Sequence, residues 1–110
     1  MITLSTHVLD TTHGTPATGV RLRLLQGAHV LFDGATDSDG RCPELKSLVP
    51  KPGAYRLEFS VADYFRARKA ALAEPPFLDV IGIDFGLGGE GHYHVPLLVS
   101  PFGYSTYRGS

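Results

Sequence analysis

Ala54-Tyr55-Arg56-Leu57-Glu58-Phe59-Ser60-Val61 alternates without a break. Tyr55, Leu57, Phe59 and Val61 fall on one face; Arg56, Glu58 and Ser60 fall on the other. Successive side chains of a strand point to opposite sides, so the stretch predicts a strand with one core-facing side. Pro52-Gly53 just before it marks a turn. Working outward, Val20-Arg21-Leu22-Arg23-Leu24 alternates in the same way, with Arg21 and Arg23 outward. Ile2 to Leu9 predicts an N-terminal strand and His29 to Phe32 a short one. Leu78 to Phe85 and His92 to Val99 read as a hairpin across a glycine-rich loop, and Tyr104 to Arg108 as a final strand. The 13 Gly and 8 Pro punctuate these runs along the whole chain. Asp63 to Ala73 breaks the pattern. It is rich in Ala, Arg and Leu, can be capped by Asp63 and is stopped by Pro75-Pro76, which predicts one short helix. Seven or eight strands and one helix point to a mainly β fold, an antiparallel β-sandwich.

The chain has 110 residues, which places residues 1–110 in a single domain. A hydrophobic share of 43% supports a core and excludes a disordered chain. Ten Lys+Arg against eleven Asp+Glu leave a formal charge of −1. That balance argues against a nucleic-acid partner and a polybasic membrane anchor. One cysteine, Cys42, excludes an internal disulfide. Met1-Ile2-Thr3-Leu4-Ser5-Thr6-His7 has neither the charged nor the apolar region of a leader, and no run reaches membrane-spanning length. These features predict a cytoplasmic protein.

Gly86-Leu87-Gly88-Gly89-Glu90-Gly91 matches the dinucleotide fingerprint by letter. That fingerprint needs a helix to follow, and His92-Tyr93-His94-Val95 is strand-like, so a plain loop is expected. His92 and His94 are spaced to share a strand face. With His7 they have the residue types of a three-histidine zinc site, against the simpler alternative of one exposed and one non-metal histidine. His13 and His29 adjoin turns and read as solvated bystanders. Asp37-Ser38-Asp39-Gly40 opens like a calcium loop, but Leu48 stands at the twelfth position, so the segment predicts a turn that projects Arg41. The last eight residues, Gly103 to Ser110, hold two tyrosines, three hydroxyl residues and an arginine, more polar function than a fraying end needs.

Four of these stretches together resemble the transthyretin-like 5-hydroxyisourate hydrolases. They are Leu4-Ser5-Thr6-His7-Val8-Leu9-Asp10 with Gly14-Thr15-Pro16-Ala17, Asp39-Gly40-Arg41-Cys42, His92-Tyr93-His94-Val95-Pro96-Leu97, and the ending Tyr107-Arg108-Gly109-Ser110. The resemblance spans nearly the whole chain. The terminal tetrapeptide is similar to the hydrolase hallmark that the hormone-carrying transthyretins lack. One departure is Gly88-Gly89-Glu90-Gly91, where many relatives carry an Asp-Pro type turn.

The resemblance implies a transthyretin-like sandwich and a homotetramer with sites at the dimer–dimer interface. It also implies ring opening of 5-hydroxyisourate by C–N cleavage in urate catabolism. By motif position it assigns catalysis to His7, Arg41, His94 and Ser110, and substrate binding to His7, Arg41, Tyr107, Arg108 and Gly109. It leaves His92 without a catalytic role and calls for neither cofactor nor metal. The residue types suit the reaction. Histidine can act as base and acid near neutral pH, and arginine's fixed fork can hold an oxyanion. Two rival expectations are a transthyretin-like carrier of a small aromatic ligand, which needs apolar walls, and a zinc hydrolase using His7, His92 and His94.

Overall fold

The computed structural model describes residues Met1–Gly109. In chain order the elements are β1 (Ile2–Asp10), β2 (Thr15–Pro16), β3 (Arg21–Gln26), β4 (His29–Ala35), a 3₁₀ turn (Pro43–Ser47), β5 (Gly53–Ser60), α1 (Val61–Ala67), β6 (Val80–Leu87), β7 (Gly91–Ser100) and β8 (Gly103–Thr106). The strands form two four-stranded sheets, ordered β2-β1-β7-β8 and β4-β3-β5-β6. All pairs are antiparallel except β1 with β7, which run parallel.

The alternation seen in the sequence sets the layers. Leu22 and Leu24 of β3, Tyr55, Leu57 and Phe59 of β5, and Ile81 and Ile83 of β6 face inward from one sheet. Ile2, Leu4 and Val8 of β1 and Val95, Leu97 and Val99 of β7 meet them from the other. Each large side chain buried this way contributes about 1.5–3 kcal/mol. The predicted sandwich stands, with eight strands among the described residues.

Two local expectations need correction. The hairpin of residues 78–85 and 92–99 does not form. β6 pairs with β5, while β7 lies between β1 and β8 in the opposite sheet. Gly88-Gly89-Glu90 is therefore a crossover between layers. Tyr93 pins it, its hydroxyl bonding the Gly89 amide (3.1 Å) and carbonyl (2.9 Å). Crossing over lets Val95, Leu97 and Val99 close the core from the far side, burial that pairing with neighbouring β6 would forfeit.

The helix is also shorter and earlier than expected. It begins at Val61, with Ser60 rather than Asp63 at its N-cap, and Lys69 ends it with a left-handed φ of 57°. Val61, Ala62, Tyr64 and Phe65 are its buried face. Beyond it, Ala70 and Leu72 pack against the core in irregular chain, so packing overrides the helix preference of Ala70 to Ala73.

Among the described residues no helix is long and apolar enough to cross a membrane.

Candidate active site

Even-numbered residues of β1 point into the core, so Thr3, Ser5 and His7 share its outer face. The parallel register sets Thr3 beside His92 and Ser5 beside His94 on β7. The two hydroxyls and two imidazoles close into a continuous chain. Thr3 Oγ1 lies 2.6 Å from His92 Nδ1, Ser5 Oγ 2.9 Å from His92 Nε2, and the same Ser5 Oγ 2.7 Å from His94 Nδ1. Among the described residues Nε2 of His94 has no hydrogen-bond partner.

Arg41 arrives from the predicted turn. Asp37 Oδ1 accepts the backbone N–H of Asp39 (2.9 Å) and of Arg41 (3.0 Å), closing the loop on itself. Gly40 has a φ of 74°, and a side chain there would collide with the Val8 carbonyl oxygen. The Val8 amide donates to the Gly40 carbonyl (2.8 Å) and Arg41 bridges to His7, so the loop is stitched to the outer end of β1.

These elements enclose a cleft of about 280 Å³ lined by Ser5, Thr6, Arg41, Lys46, His92 and His94, with Cys42 and Pro43 also in its wall. Burial pushes the Cys42 thiol up to about 11, helped by nearby Glu44, so it stays protonated and is no nucleophile near pH 7. Burial also lowers the His94 pKa below its ordinary value, and Arg41, His7 and His92 reinforce the shift. His94 is thus held as neutral imidazole, ready to accept a proton.

The tail reaches His94 at Gly109. The Gly109 amide donates to the His94 carbonyl (2.8 Å). A Cβ on Gly109 would stand 2.6 Å from His94 Cδ2, so only glycine lets the backbone lie against the imidazole.

Of the expected residues, His94 and Arg41 line the cleft, His7 adjoins it through its bridge to Arg41, and Gly109 rests on His94. Tyr107 and Arg108 turn to a neighbouring hollow with Tyr93, where the Arg108 guanidinium sits 4.2 Å from the Tyr93 ring centroid. Ser110 lies outside the described residues. Thr3, Ser5 and Lys46 were not singled out from the sequence. The shared parity of Thr3, Ser5 and His7 was the one available signal for the first two.

His92 has both ring nitrogens engaged, which leaves it no lone pair for a metal. Among the described residues no three His, Cys, Asp or Glu side chains gather as a metal site. His13 is exposed, as expected, but it is also tied to Asp10. The turn after β1 folds it back so that its Nδ1 donates to Asp10 Oδ2 at 2.6 Å.

A profile of the HIUase/Transthyretin family matches residues 4–109. A 5-hydroxyisourate hydrolase of Pseudomonas aeruginosa is 46% identical, over 97% of this chain and 90% of that protein. The solved structure of Klebsiella pneumoniae 5-hydroxyisourate hydrolase superposes with a TM-score of 0.89 at 36% identity, covering 100% of both chains. That of an (S)-allantoin synthase superposes with a TM-score of 0.92 at 38% identity, over 99% of this chain and 44% of the longer one.

Proposed function

The chain belongs to the HIUase/transthyretin family, and we propose that His7, Arg41 and His94, with the tail Tyr107, Arg108, Gly109 and Ser110, carry out its reaction. The chain is a 5-hydroxyisourate hydrolase. It opens the ring by C–N cleavage, giving 2-oxo-4-hydroxy-4-carboxy-5-ureidoimidazoline in urate breakdown. The observation that carries the site assignment is the half-buried His94, kept neutral and set in one cleft with Arg41.

Water adds to the ring carbonyl carbon and gives its proton to a histidine. The carbonyl electron pair moves to oxygen, and the Arg41 guanidinium stabilises the oxyanion. When the oxyanion collapses, the C–N bond breaks and the leaving nitrogen takes the proton back. The carboxyl group so formed is anionic, and Arg41 and Lys46 in the cleft suit it electrostatically. His94 is the better placed base, and His7 positions water or substrate beside Arg41. Polar lining disfavours the carrier alternative, which needs apolar walls.

The active protein is a homotetramer, with the open outer face of the β2-β1-β7-β8 sheet turned toward a second dimer. β8 supports this. It is an edge strand whose own Tyr104 is 47% exposed and whose flanking Phe102 and Tyr107 are 66% and 60% exposed, surface that a second copy can cover. A cytoplasmic setting fits Cys42, a buried free thiol.

The test is spectrophotometric. Urate and urate oxidase generate 5-hydroxyisourate, and the chain should speed decay of its transient absorbance. His94→Ala and His7→Ala should each lower that rate about 10²–10⁴-fold, and loss of Ser110 should also slow it. Undiminished hydrolysis in both histidine variants would overturn the assignment. Sedimentation of the wild type should give four chains per particle.

A further inference from the structure

We propose that Ser5, His92 and Thr3 form a proton relay behind His94, which lets one imidazole serve as base and then as acid. The proposal rests on the site assignment above and extends it to three residues with no role there.

The geometry is a single file. The His92 ring and the Ser5 hydroxyl each bridge two neighbours, at 2.6, 2.9 and 2.7 Å from Thr3 through His92 and Ser5 to His94. Such a chain has two self-consistent hydrogen-bond directions, because a hydroxyl donates once and a neutral imidazole has one donor and one acceptor. In the first, His94 Nδ1 donates to Ser5 Oγ, Ser5 donates to His92 Nε2, and His92 Nδ1 donates to Thr3 Oγ1. His94 Nε2 then carries a lone pair and is a base. In the second every bond is reversed, and His94 Nε2 carries a proton and is an acid.

The reaction reverses the two bonds through Ser5 and leaves the His92–Thr3 bond as it stands in the first state. Water adds to the carbonyl carbon, its proton goes to His94 Nε2, and the carbonyl electron pair becomes the oxyanion. His94 Nδ1 passes its proton to Ser5 Oγ, and Ser5 passes its own to His92 Nε2. His92, still holding its Nδ1 proton toward Thr3, becomes the imidazolium, while His94 is again neutral. On collapse the C–N bond breaks and the leaving nitrogen takes the Nε2 proton of His94. His92 returns a proton to Ser5, Ser5 returns one to His94 Nδ1, and the chain resets with no net change in charge.

The benefit lies in where the positive charge waits. His94 is half-buried beside Arg41, surroundings that disfavour an imidazolium. His92 is exposed, so its charge is hydrated. Thr3 fixes the far end, with its hydroxyl accepting from the imidazolium. Ser5, His92 and Thr3 act through His94 and are positioning residues.

Ser5→Ala cuts the chain, and Ser5→Thr restores the hydroxyl. Ser5→Ala should lower kcat about 10–100-fold with KM little changed, and Ser5→Thr should recover most of it. His92→Gln keeps hydrogen bonding but cannot hold the charge, and should lower kcat comparably. The distinguishing readout is a proton inventory, the rate measured against deuterium fraction. It should be curved in the wild type, with several protons in flight, and linear in Ser5→Ala and His92→Gln. If Ser5→Ala melts far below the wild type, the exposed His92→Gln decides alone. Wild-type kcat in His92→Gln, or a linear wild-type inventory, would overturn the relay. Full activity in His94→Ala would instead overturn the site assignment beneath it.

Discussion

β1 carries two histidine clusters, one at each end and one on each face. At its C-terminal end Asp10 points inward with a fully buried side chain. Asp10 Oδ1 accepts the amides of Thr12 and His13, both at 3.0 Å, and Oδ2 accepts His13 Nδ1 (2.6 Å) and the Tyr64 hydroxyl (2.7 Å). Toward its N-terminal end Thr3 and Ser5 point outward to His92 and His94. The first cluster has a carboxylate to balance its donors, ties α1 to β1 and is satisfied at every oxygen. Among the described residues the second has no carboxylate, opens onto a cleft and leaves His94 Nε2 without a hydrogen-bond partner. The same residue type is structural where a buried anion fixes it. Where Arg41 and Lys46 line the cleft beside it, it is the residue proposed to carry the chemistry.

The sharpest way to test that division is to disturb each cluster and read both stability and rate. Arg41→Lys keeps the charge but loses the planar fork. It should lower kcat/KM about 10²–10³-fold while leaving the melting temperature near that of the wild type. Asp10→Asn should do the reverse. It removes the charge that its donors surround and should cost about 2–3 kcal/mol in denaturant unfolding, with kcat/KM of the folded enzyme kept. A large rate loss in Asp10→Asn, or a large stability loss in Arg41→Lys, would erase the contrast.

Much of this was legible residue by residue. Strict parity along residues 54–60 announced the sandwich, although Val61, expected as the strand's last residue, opens α1 instead, and the Asp37 to Gly40 turn announced a projected Arg41. Neither depends on distant partners. What escaped depended on pairing across the chain. That β7 lies beside β1, parallel and away from β6, follows from closing the core, which no local run encodes. Without that register, Thr3 and Ser5 are two polar residues on a strand, and His92 is a neighbour without a partner. Lys46 escaped because its 3₁₀ turn shows no periodicity until the chain folds over the cleft. His13 escaped because its partner Asp10 is buried only once Tyr64 covers it.

The tail probes the open cluster more gently. Gly109→Ala puts a methyl group where the His94 ring stands, so the tail must back away or the ring must turn. Misplacement of this kind should lower kcat about tenfold, with unfolding little affected, because the tail lies outside the core. Rescue of the rate by shortening the tail further would contradict the idea that Gly109 seats His94.

The smallest effects separate the clusters by pH. Burial alone would raise the Asp10 carboxyl, but bonds from Tyr64 and His13 outweigh it and hold the group below 3.8. Burial and the bond to Asp10 push the Tyr64 phenol up to about 12. A carboxyl with a lowered folded pKa stabilises above its unfolded value, and that stability is lost as pH falls through the folded one. Unfolding free energy should therefore drop in acid below about pH 4, and Asp10→Asn should flatten that drop. His94 has its own lowered pKa and answers in rate. Its active form as a base is the neutral one, so the acid limb of kcat/KM should fall below 6.5. Arg41→Gln removes one of the charges that disfavour the imidazolium. It should move that limb upward in the residual activity, while the acid unfolding set by Asp10 stays where it was.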